Sequence, residues 1–335
     1  MHSKDNTHLG KDAYHKLCQI EESIPLFSRD WWLDIVCGED NWDVLLIDSE
    51  KSIQAAMPFY NPKGNVITMP FYTQTMGPWL RKLPPDAKPV TVLSQRQNIL
   101  KIFARHFKAY GSFLQHFHHD ITDWLPFYWE GFKQTTRYTY ILENIDNSRL
   151  LWEQMATNTR RNIQKAEKKY GLSVRRGVSA GELLRMQGDS FKRQHLKPKG
   201  TKTLRRLIEQ SKRRGQGDVW GAYAPNGQLH AAVFIVWQSS SAYYIAGGSD
   251  PALRDSGAHS LVLWKAIQDV ATHSRSFDFE GSMLAGVERF FREFGATQLP
   301  YFAISKGSLS LYDKAYIKTK RVLNDIFSNH QVWTK

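Results

Sequence analysis

Three consecutive apolar segments of β-strand composition in the second half of the chain restrict the folds available to it. They lie in DVWGAYAPNGQLHAAVFIVWQSSSAYYIAGG (218–248), where Asn226-Gly227 and QSSS are typical of turns between antiparallel strands. Four more patterns follow in alternation: a helix over 256–273, the strand SFDFEG (276–281), a helix over 285–294 and the strand TQLPYFAI (297–304). This order predicts a mixed sheet with helices on both of its faces.

Helical patterns come before these strands. Ser148 opens a long one that ends at Gly171, and we expect one continuous helix there. SAGE (179–182) is a capping box at the start of the next helix, and a basic helix follows over 201–214.

Length and composition indicate two domains. The chain has 335 residues, of which 41% are apolar, so two domains can each bury a core. Strand and helix patterns also mix in the first half, as in the strand TTRYTYILEN (135–144). We therefore expect an α/β protein with domains over 1–146 and 147–335.

Several protein classes lack support. Cys18 and Cys37 have no zinc-like spacing and are too few for a disulfide framework. The longest apolar run, AAVFIVW (231–237), is too short to span a bilayer, and the polar N-terminus does not resemble a signal peptide. HFHHD (116–120) lacks a closing ligand pattern, so no metal site is predicted. We expect a cytoplasmic protein without a transmembrane segment.

Positive charge is concentrated in one stretch. Residues 1–146 hold 15 Lys/Arg and 17 Asp/Glu, a net of −2, whereas 147–335 hold 30 and 15, a net of +15. Within that half, 158–214 carry 18 basic and 4 acidic residues, a net of +14. Such a stretch attracts anionic partners such as phosphates, nucleic acid or lipid head groups, although solvated helix faces also look like this.

The segment from Trp220 to Ala296, together with NTRRNIQKAEKKYGL (158–172), resembles the Fem family of peptidoglycan-branching aminoacyltransferases. The resemblance implies two tandem GNAT-like domains, each a mixed, mostly antiparallel sheet flanked by helices. It also implies an N-acyltransferase that transfers an acyl or aminoacyl group to an amine, with a cell-wall precursor as one acceptor. The donor would be an acyl-CoA or an aminoacyl-tRNA, and no other cofactor is required.

In GNAT-like domains, backbone N–H groups at a helix N-terminus hold the donor's pyrophosphate within a motif Q/R-x-x-G-x-G/A. The matching residues here are Arg254, Gly257, Ala258 and His259 in RDSGAH. His259 replaces the final small residue, and its bulk is expected to crowd a pyrophosphate. Aminoacyl-tRNA donors would tolerate that change, and a plain helix start capped by Ser256 is the alternative.

The same resemblance implies a tyrosine four residues before Gly295 that acts as general acid for the leaving thiolate. This chain has Phe291 at that position. Because phenylalanine has no proton to give, the proton would come from Tyr301, Tyr312, water or the substrate. Glu280 ends the strand FDFEG and is the candidate base, with helix capping as the alternative. Asp278 lies between Phe277 and Phe279, so alternation along the strand predicts that it points to the face opposite these aromatics, and it is not expected to share a site with Glu280.

Ligands in mixed sheets bind at strand ends and helix starts, which makes Gly247 and Gly248 candidate substrate-binding residues. Other candidates are basic and come from the stretch 158–214: Arg160, Arg161, Lys165, Lys197, Lys199 and Lys202. The anionic partner would be tRNA, CoA, a nucleotide- or lipid-linked cell-wall precursor, or a membrane surface. Two alternatives stay open: a binding protein with a decayed GNAT site, and a nucleic-acid-binding protein that uses 158–214.

Overall fold

A computed structural model describes residues 6–49, 52–193, 199–309 and 314–319. The chain divides into two compact units, Met1–Arg137 with Pro300–Lys335, and Tyr138–Leu299. This division differs from the predicted boundary after residue 146, because the chain returns to the first unit after residue 299. A return of this kind has no signal in local composition.

The strands are β1 (Asn6–Leu9), β2 (Trp42–Ser49), β3 (Ser52–Tyr60), β4 (Val66–Ile67), β5 (Trp79–Leu80), β6 (Ser112–His116), β7 (Lys133–Glu143), β8 (Ser173–Arg176), β9 (Gly217–Tyr223), β10 (Leu229–Trp237), β11 (Ser241–Ser249), β12 (Ser276–Asp278) and β13 (Thr297–Lys306). The helices are α1 (Lys11–Ile20), α2 (Asp30–Cys37), α3 (Pro89–Phe107), α4 (Leu125–Trp129), α5 (Ser148–Gln154), α6 (Thr157–Lys168), α7 (Ala180–Arg193), α8 (Thr201–Arg213), α9 (Ala258–Val270) and α10 (Ala285–Arg292). Residues 314–319 are also helical.

The first unit contains an antiparallel sheet in the order β1-β2-β3-β5. A second group of strands has β6 at its centre, parallel to β4 and antiparallel to the Ala303–Lys306 part of β13. Aromatic side chains from strands and helix α3 fill the core, among them Phe59, Phe103, Phe107 and Phe113. The helix α3 thus covers a strand surface, as the apolar spacing along it requires.

The second unit is built on the strands that the sequence predicted. β9, β10 and β11 form an antiparallel meander, β8 pairs with β9, and β12 lies between β11 and β7. All nine residues of β10 are buried, since α9 packs against this part of the sheet and α7 also contacts β10. A strand covered on both faces is expected to be continuously apolar rather than alternating.

Helix boundaries in the second unit partly follow the sequence. The capping box is confirmed: Ser179 N donates to Glu182 Oε2 at 3.2 Å, and Glu182 N donates to Ser179 Oγ at 3.2 Å. The prediction of one continuous helix from Ser148 is wrong, because the chain breaks between α5 and α6. Met155 adopts an extended backbone there, and Ala156 N donates to Glu293 O at 2.9 Å. A tertiary hydrogen bond replaces the helical one.

Candidate active site

The site begins where two parallel strands part. β11 and β12 pair at three positions, the last of which is Tyr243 opposite Asp278, and β11 then continues to Ser249 without β12. Glu280 and Gly281 turn the chain away, because both have left-handed backbone angles, with φ of 60° and 59°. The edge of β11 beyond Tyr243 is therefore not paired with β12.

Glycine is required at position 281 by the protein's own backbone. A Cβ atom there would lie 2.0 Å from Tyr138 O, which no side chain can tolerate. Gly281 therefore allows the chain to approach β7 closely. Glu280 occupies a left-handed conformation that is unfavourable for a residue with a side chain, and such strain is concentrated at functional sites.

A bulge in β11 selects which side chains face the site. Phe234 and Ile235 of β10 are neighbours, but their partners in β11 are Ala246 and Tyr244, so Ile245 is the extra residue. The bulge shifts Gly247 onto the same face as Tyr244. A Cβ atom on Gly247 would lie 2.3 Å from Tyr244 Oη, so the glycine makes room for that hydroxyl group.

The RDSGAH segment forms the start of α9. Gly257 has φ of 77° and is the N-cap of α9, without a side-chain hydrogen bond to cap the helix. A Cβ atom on Gly257 would lie 2.3 Å from Asn162 O, so this turn packs directly on α6. Ser256 Oγ accepts a 3.3 Å hydrogen bond from Ala258 N. The first turn of α9 thus presents backbone N–H groups beside α6.

A cavity of about 730 Å³ lies in the second unit between β11, α6, α9 and α10. Apart from Lys197, Lys199 and Lys202, the sequence predicted twelve site residues, and seven of these line the cavity: Lys165, Gly247, Gly248, Arg254, Gly257, Ala258 and His259. Gly248 is also required by packing, because a Cβ atom there would lie 2.3 Å from the backbone of Met186 in α7. The structure therefore brings together most of the predicted donor-binding residues.

The other five predicted residues lie elsewhere. Arg161 is exposed, and Arg160 Nη2 donates a 3.4 Å hydrogen bond to Thr157 Oγ1. Tyr301 belongs to the first unit, where it is buried and its Oη accepts a 3.1 Å hydrogen bond from Arg137 Nε. Tyr312 lies outside the described residues, as does Lys197. Glu280 is not among the cavity-lining residues and is treated below.

His259 is placed differently from the sequence expectation. Its Nδ1 lies 3.0 Å from Ser249 Oγ, its Nε2 lies 3.3 Å from Tyr244 Oη, and its ring packs edge-on to Phe290 at 5.4 Å. These contacts hold the imidazole against β11 and α10. Burial lowers the pKa of His259 to about 4, so the ring is neutral at pH 7.

Phe291 belongs to the core of the second unit. It is buried, and its ring lies 5.1 Å from Phe279 and 5.8 Å from Tyr244, edge-on to the latter. Tyr244 and Ser249 are site residues that the sequence did not single out. Only the Gly247-Gly248 pair beside them hinted that the strand deviates from regular alternation here.

Glu280 has the properties of a carboxyl group that changes its protonation state. Burial, with a smaller effect from Asp278, raises its pKa well above 4.5. Its Oε1 atom is buried and has no hydrogen-bond partner among the residues that the structure describes. An unpaired buried carboxylate is costly, which favours the protonated form until a ligand or base supplies a partner.

Asp278 is not isolated from Glu280, so the expectation based on strand alternation is wrong. β12 ends at Asp278, and the turn at Glu280 brings its backbone N within 2.7 Å of Asp278 Oδ1, which accepts the hydrogen bond. The same carboxylate accepts a hydrogen bond from Thr139 Oγ1. Asp278 therefore holds the turn that positions Glu280.

The basic residues of 158–214 fall into two groups. Some are paired: Arg176 and Lys212 contact Asp218 at 2.9 and 3.0 Å. Lys165 borders the cavity together with Arg254, which lies outside this stretch, and neither has an ion-pair partner within the described part of the chain. These two cations are therefore available to an anionic ligand.

Potential metal ligands occur in the first unit. Ligand atoms of His118, His119 and Asp120 all lie within 4.8 Å of one another. Asp120 is 74% exposed and contacts both imidazoles, at 3.5 and 3.6 Å. Ordinary contacts between neighbouring polar residues account for this arrangement, and the prediction of no metal site stays a prediction.

Comparisons with known proteins agree with this geometry. Residues 153–292 match the family model described as an acetyltransferase (GNAT) domain. Curated protein sequences yielded no match. Among the described residues, no helix combines the length and apolarity needed to cross a membrane.

Solved structures share the fold at low sequence identity. FemX is similar with a TM-score of 0.63 at 12% identity, over 89% of this chain and 96% of that one. A tandem GNAT protein from the clavulanic acid biosynthesis pathway has a TM-score of 0.50 at 10% identity, over 90% and 98%. A conserved protein from Bacteroides thetaiotaomicron has a TM-score of 0.50 at 12% identity, over 84% and 90%. The predicted α/β fold with tandem GNAT-like domains is thereby confirmed: residues 153–292 are similar to the acetyltransferase (GNAT) family model, within a fold similar to that of FemX.

Proposed function

We propose that this protein is an N-acyltransferase that transfers an acyl or aminoacyl group to the amine of an acceptor. The observation that carries the proposal is the parting of β11 and β12 beside the glycine-led start of α9. An unpaired strand edge can bind an extended, amide-containing ligand through backbone hydrogen bonds. A phosphate group on the same ligand then reaches the helix N-terminus.

Charge in the cavity supports a phosphate-bearing donor. The positive end of the α9 dipole, Lys165 and Arg254 all border the same space. Acyl-CoA and aminoacyl-tRNA both carry phosphates on the molecule that bears the acyl group, and the placement of the His259 ring against β11 leaves the CoA donor open. The resemblance to Fem enzymes makes a nucleotide- or lipid-linked cell-wall precursor the first acceptor to test.

Glu280 is the proposed proton acceptor. An amine attacks an acyl carbon only in its unprotonated form, and it must lose a second proton as the amide forms. A carboxylate in an apolar setting, with no competing hydrogen bond at Oε1, takes up such a proton readily. Asp278 keeps the carboxyl-bearing turn in place.

A transfer assay tests this proposal. Purified protein is incubated with acyl-CoA and aminoacyl-tRNA donors and with amine acceptors, and products are identified by mass spectrometry. Glu280→Gln is expected to slow transfer by about 10²–10⁴-fold. Glu209→Gln, on the exposed surface of α8, is the matched control and should retain full activity. Equal rates for wild type and Glu280→Gln would remove Glu280 from the mechanism.

Nucleic-acid binding without catalysis is the second candidate, favoured by the net charge of +14 over 158–214. It predicts a tRNA gel shift that weakens steeply with salt, together with no acyl transfer from any donor. Product formation from either donor would contradict it.

A further inference from the structure

A tyrosine hydroxyl lies beside the phenylalanine that cannot act as an acid. Phe291 occupies the helix position where the resemblance to GNAT-like domains implies a tyrosine that acts as general acid. The ring of Tyr244 packs edge-on to Phe291 at 5.8 Å, from the neighbouring strand β11, and Tyr244 also lines the cavity. The phenol of Tyr244 thus comes from strand β11 rather than from helix α10, but it lies in the same region as Phe291.

The Tyr244 hydroxyl is held in a defined polar chain. Ser249 Oγ, the His259 ring and Tyr244 Oη are linked at 3.0 and 3.3 Å. A neutral imidazole has one N–H group. In the tautomer that carries this proton on Nε2, Ser249 Oγ donates to Nδ1 and Nε2–H donates to Tyr244 Oη. In that arrangement the phenolic proton is free to point into the cavity. The bulge at Ile245 and the missing side chain of Gly247 create this placement.

We infer that Tyr244 is a catalytic acid of the transfer reaction, with His259 and Ser249 as the groups that position and reprotonate it. This inference rests on the proposed acyl transfer. As the amine nitrogen bonds to the acyl carbon, the electron pair of the breaking bond passes to the leaving atom, which takes the Tyr244 proton. The phenolate regains a proton from His259 Nε2, and His259 regains one from Ser249, which exchanges with water in the cavity. The amine proton passes to the carboxylate form of Glu280, which the bound ligand stabilises, so protons balance.

Burial and the neighbouring Glu280 support this role, since together they raise the pKa of Tyr244. The phenol therefore stays protonated before the reaction and releases its proton only to a strongly basic atom. Dependence on Tyr244 should accordingly grow as the leaving group becomes more basic, which is how a general acid differs from a residue that only supports the fold.

The experiment compares two donors with the same acyl group. One has a poor leaving group, the natural donor used by wild type, and the other is a 4-nitrophenyl ester, whose leaving group needs no proton. Tyr244→Phe should lower kcat with the poor leaving group by about 10²–10⁴-fold, with little change in KM. The activated ester should restore most of the rate. His259→Gln should show the same pattern with a smaller loss.

Tyr243→Phe is the matched control, because it removes a buried phenol from the adjacent position of β11. It should leave the rates with both donors near those of wild type, and Tm values should confirm that all variants are folded. An equal loss with both donors, or no loss with either, would overturn the role of Tyr244 while leaving acyl transfer intact. A wild-type protein inactive with every donor would overturn the proposed function itself, and the inference with it.

Discussion

The two units start a comparable helix in different ways, and the difference concerns the place of the proposed donor site. In the second unit α9 follows left-handed Gly257, and charged residues line the adjoining cavity. In the first unit α3 begins with Pro89 after Lys88, and a cavity of about 390 Å³ near its start is lined by uncharged residues. Proline at a first helical position stabilises the helix but offers no N–H group to a ligand.

This comparison separates fold from function. Both units have mixed sheets covered by helices, and the comparisons identify tandem GNAT-like domains. The cavity in the second unit combines the glycine-led N-terminus of α9 with Lys165 and Arg254. A smaller cavity at the start of α3 is also lined by cations (Arg81, Lys82 and Arg96), but the helix there begins with proline. A shared architecture therefore does not imply a shared site, since a site depends on a few residues placed at helix starts and strand ends.

Of the predicted effects, that of Gly257→Val on stability and donor binding should be the largest. The new side chain would meet Asn162 O at 2.3 Å and adopt an unfavourable left-handed backbone with φ of 77°. The strain alone costs about 1–3 kcal/mol. We expect a marked fall in Tm and loss of donor binding. Gly188→Ala in α7 is the control, with open space around it and no loss of stability expected.

Lys165→Ala should have the next largest effect, on donor affinity. Lys165 borders the cavity, and loss of a charge-assisted contact costs about 1.5–3 kcal/mol, or about 10–100-fold in Kd. Lys212→Ala removes a lysine that is already paired with Asp218 and should change Kd little. Calorimetry with CoA or aminoacyl-tRNA measures both. Equal effects would show that general positive charge, rather than this cavity, attracts the donor.

The smallest effect concerns stability as a function of pH. Because the folded protein raises the pKa of Glu280 above 4.5, it binds this proton more tightly than the unfolded chain does. Stability from Glu280 is therefore fully present below about pH 4.5 and is lost as pH rises toward the raised pKa. Glu280→Gln avoids that loss.

The Tm of Glu280→Gln minus that of wild type should therefore become more positive between pH 4 and pH 8 in thermal unfolding. A difference that does not change with pH would mean that Glu280 is ionised normally. It would also weaken the case for Glu280 as the base, since the raised pKa and the unpaired Oε1 arise from the same burial.

Much of the second unit was predictable because the signals are local. The Asn226-Gly227 turn, the capping box at Ser179 and the glycine-led motif at Gly257 each depend on a few adjacent residues. The backbone conformations that these residues favour do not depend on the rest of the chain. The break between α5 and α6 was missed because a distant carbonyl, Glu293 O, completes it.

The sequence by itself determined the order of elements, the resemblance to Fem-like proteins, and the candidacy of Gly257 and Glu280. Only the tertiary structure decided that Tyr244 and Ser249 face the site, because a one-residue bulge reverses which side chains point there. It also decided that Asp278 supports Glu280, since the left-handed turn at Glu280 brings its backbone N–H group to the Asp278 carboxylate. Strand registers and turns between distant segments depend on packing across the whole unit, and no short stretch of sequence specifies them.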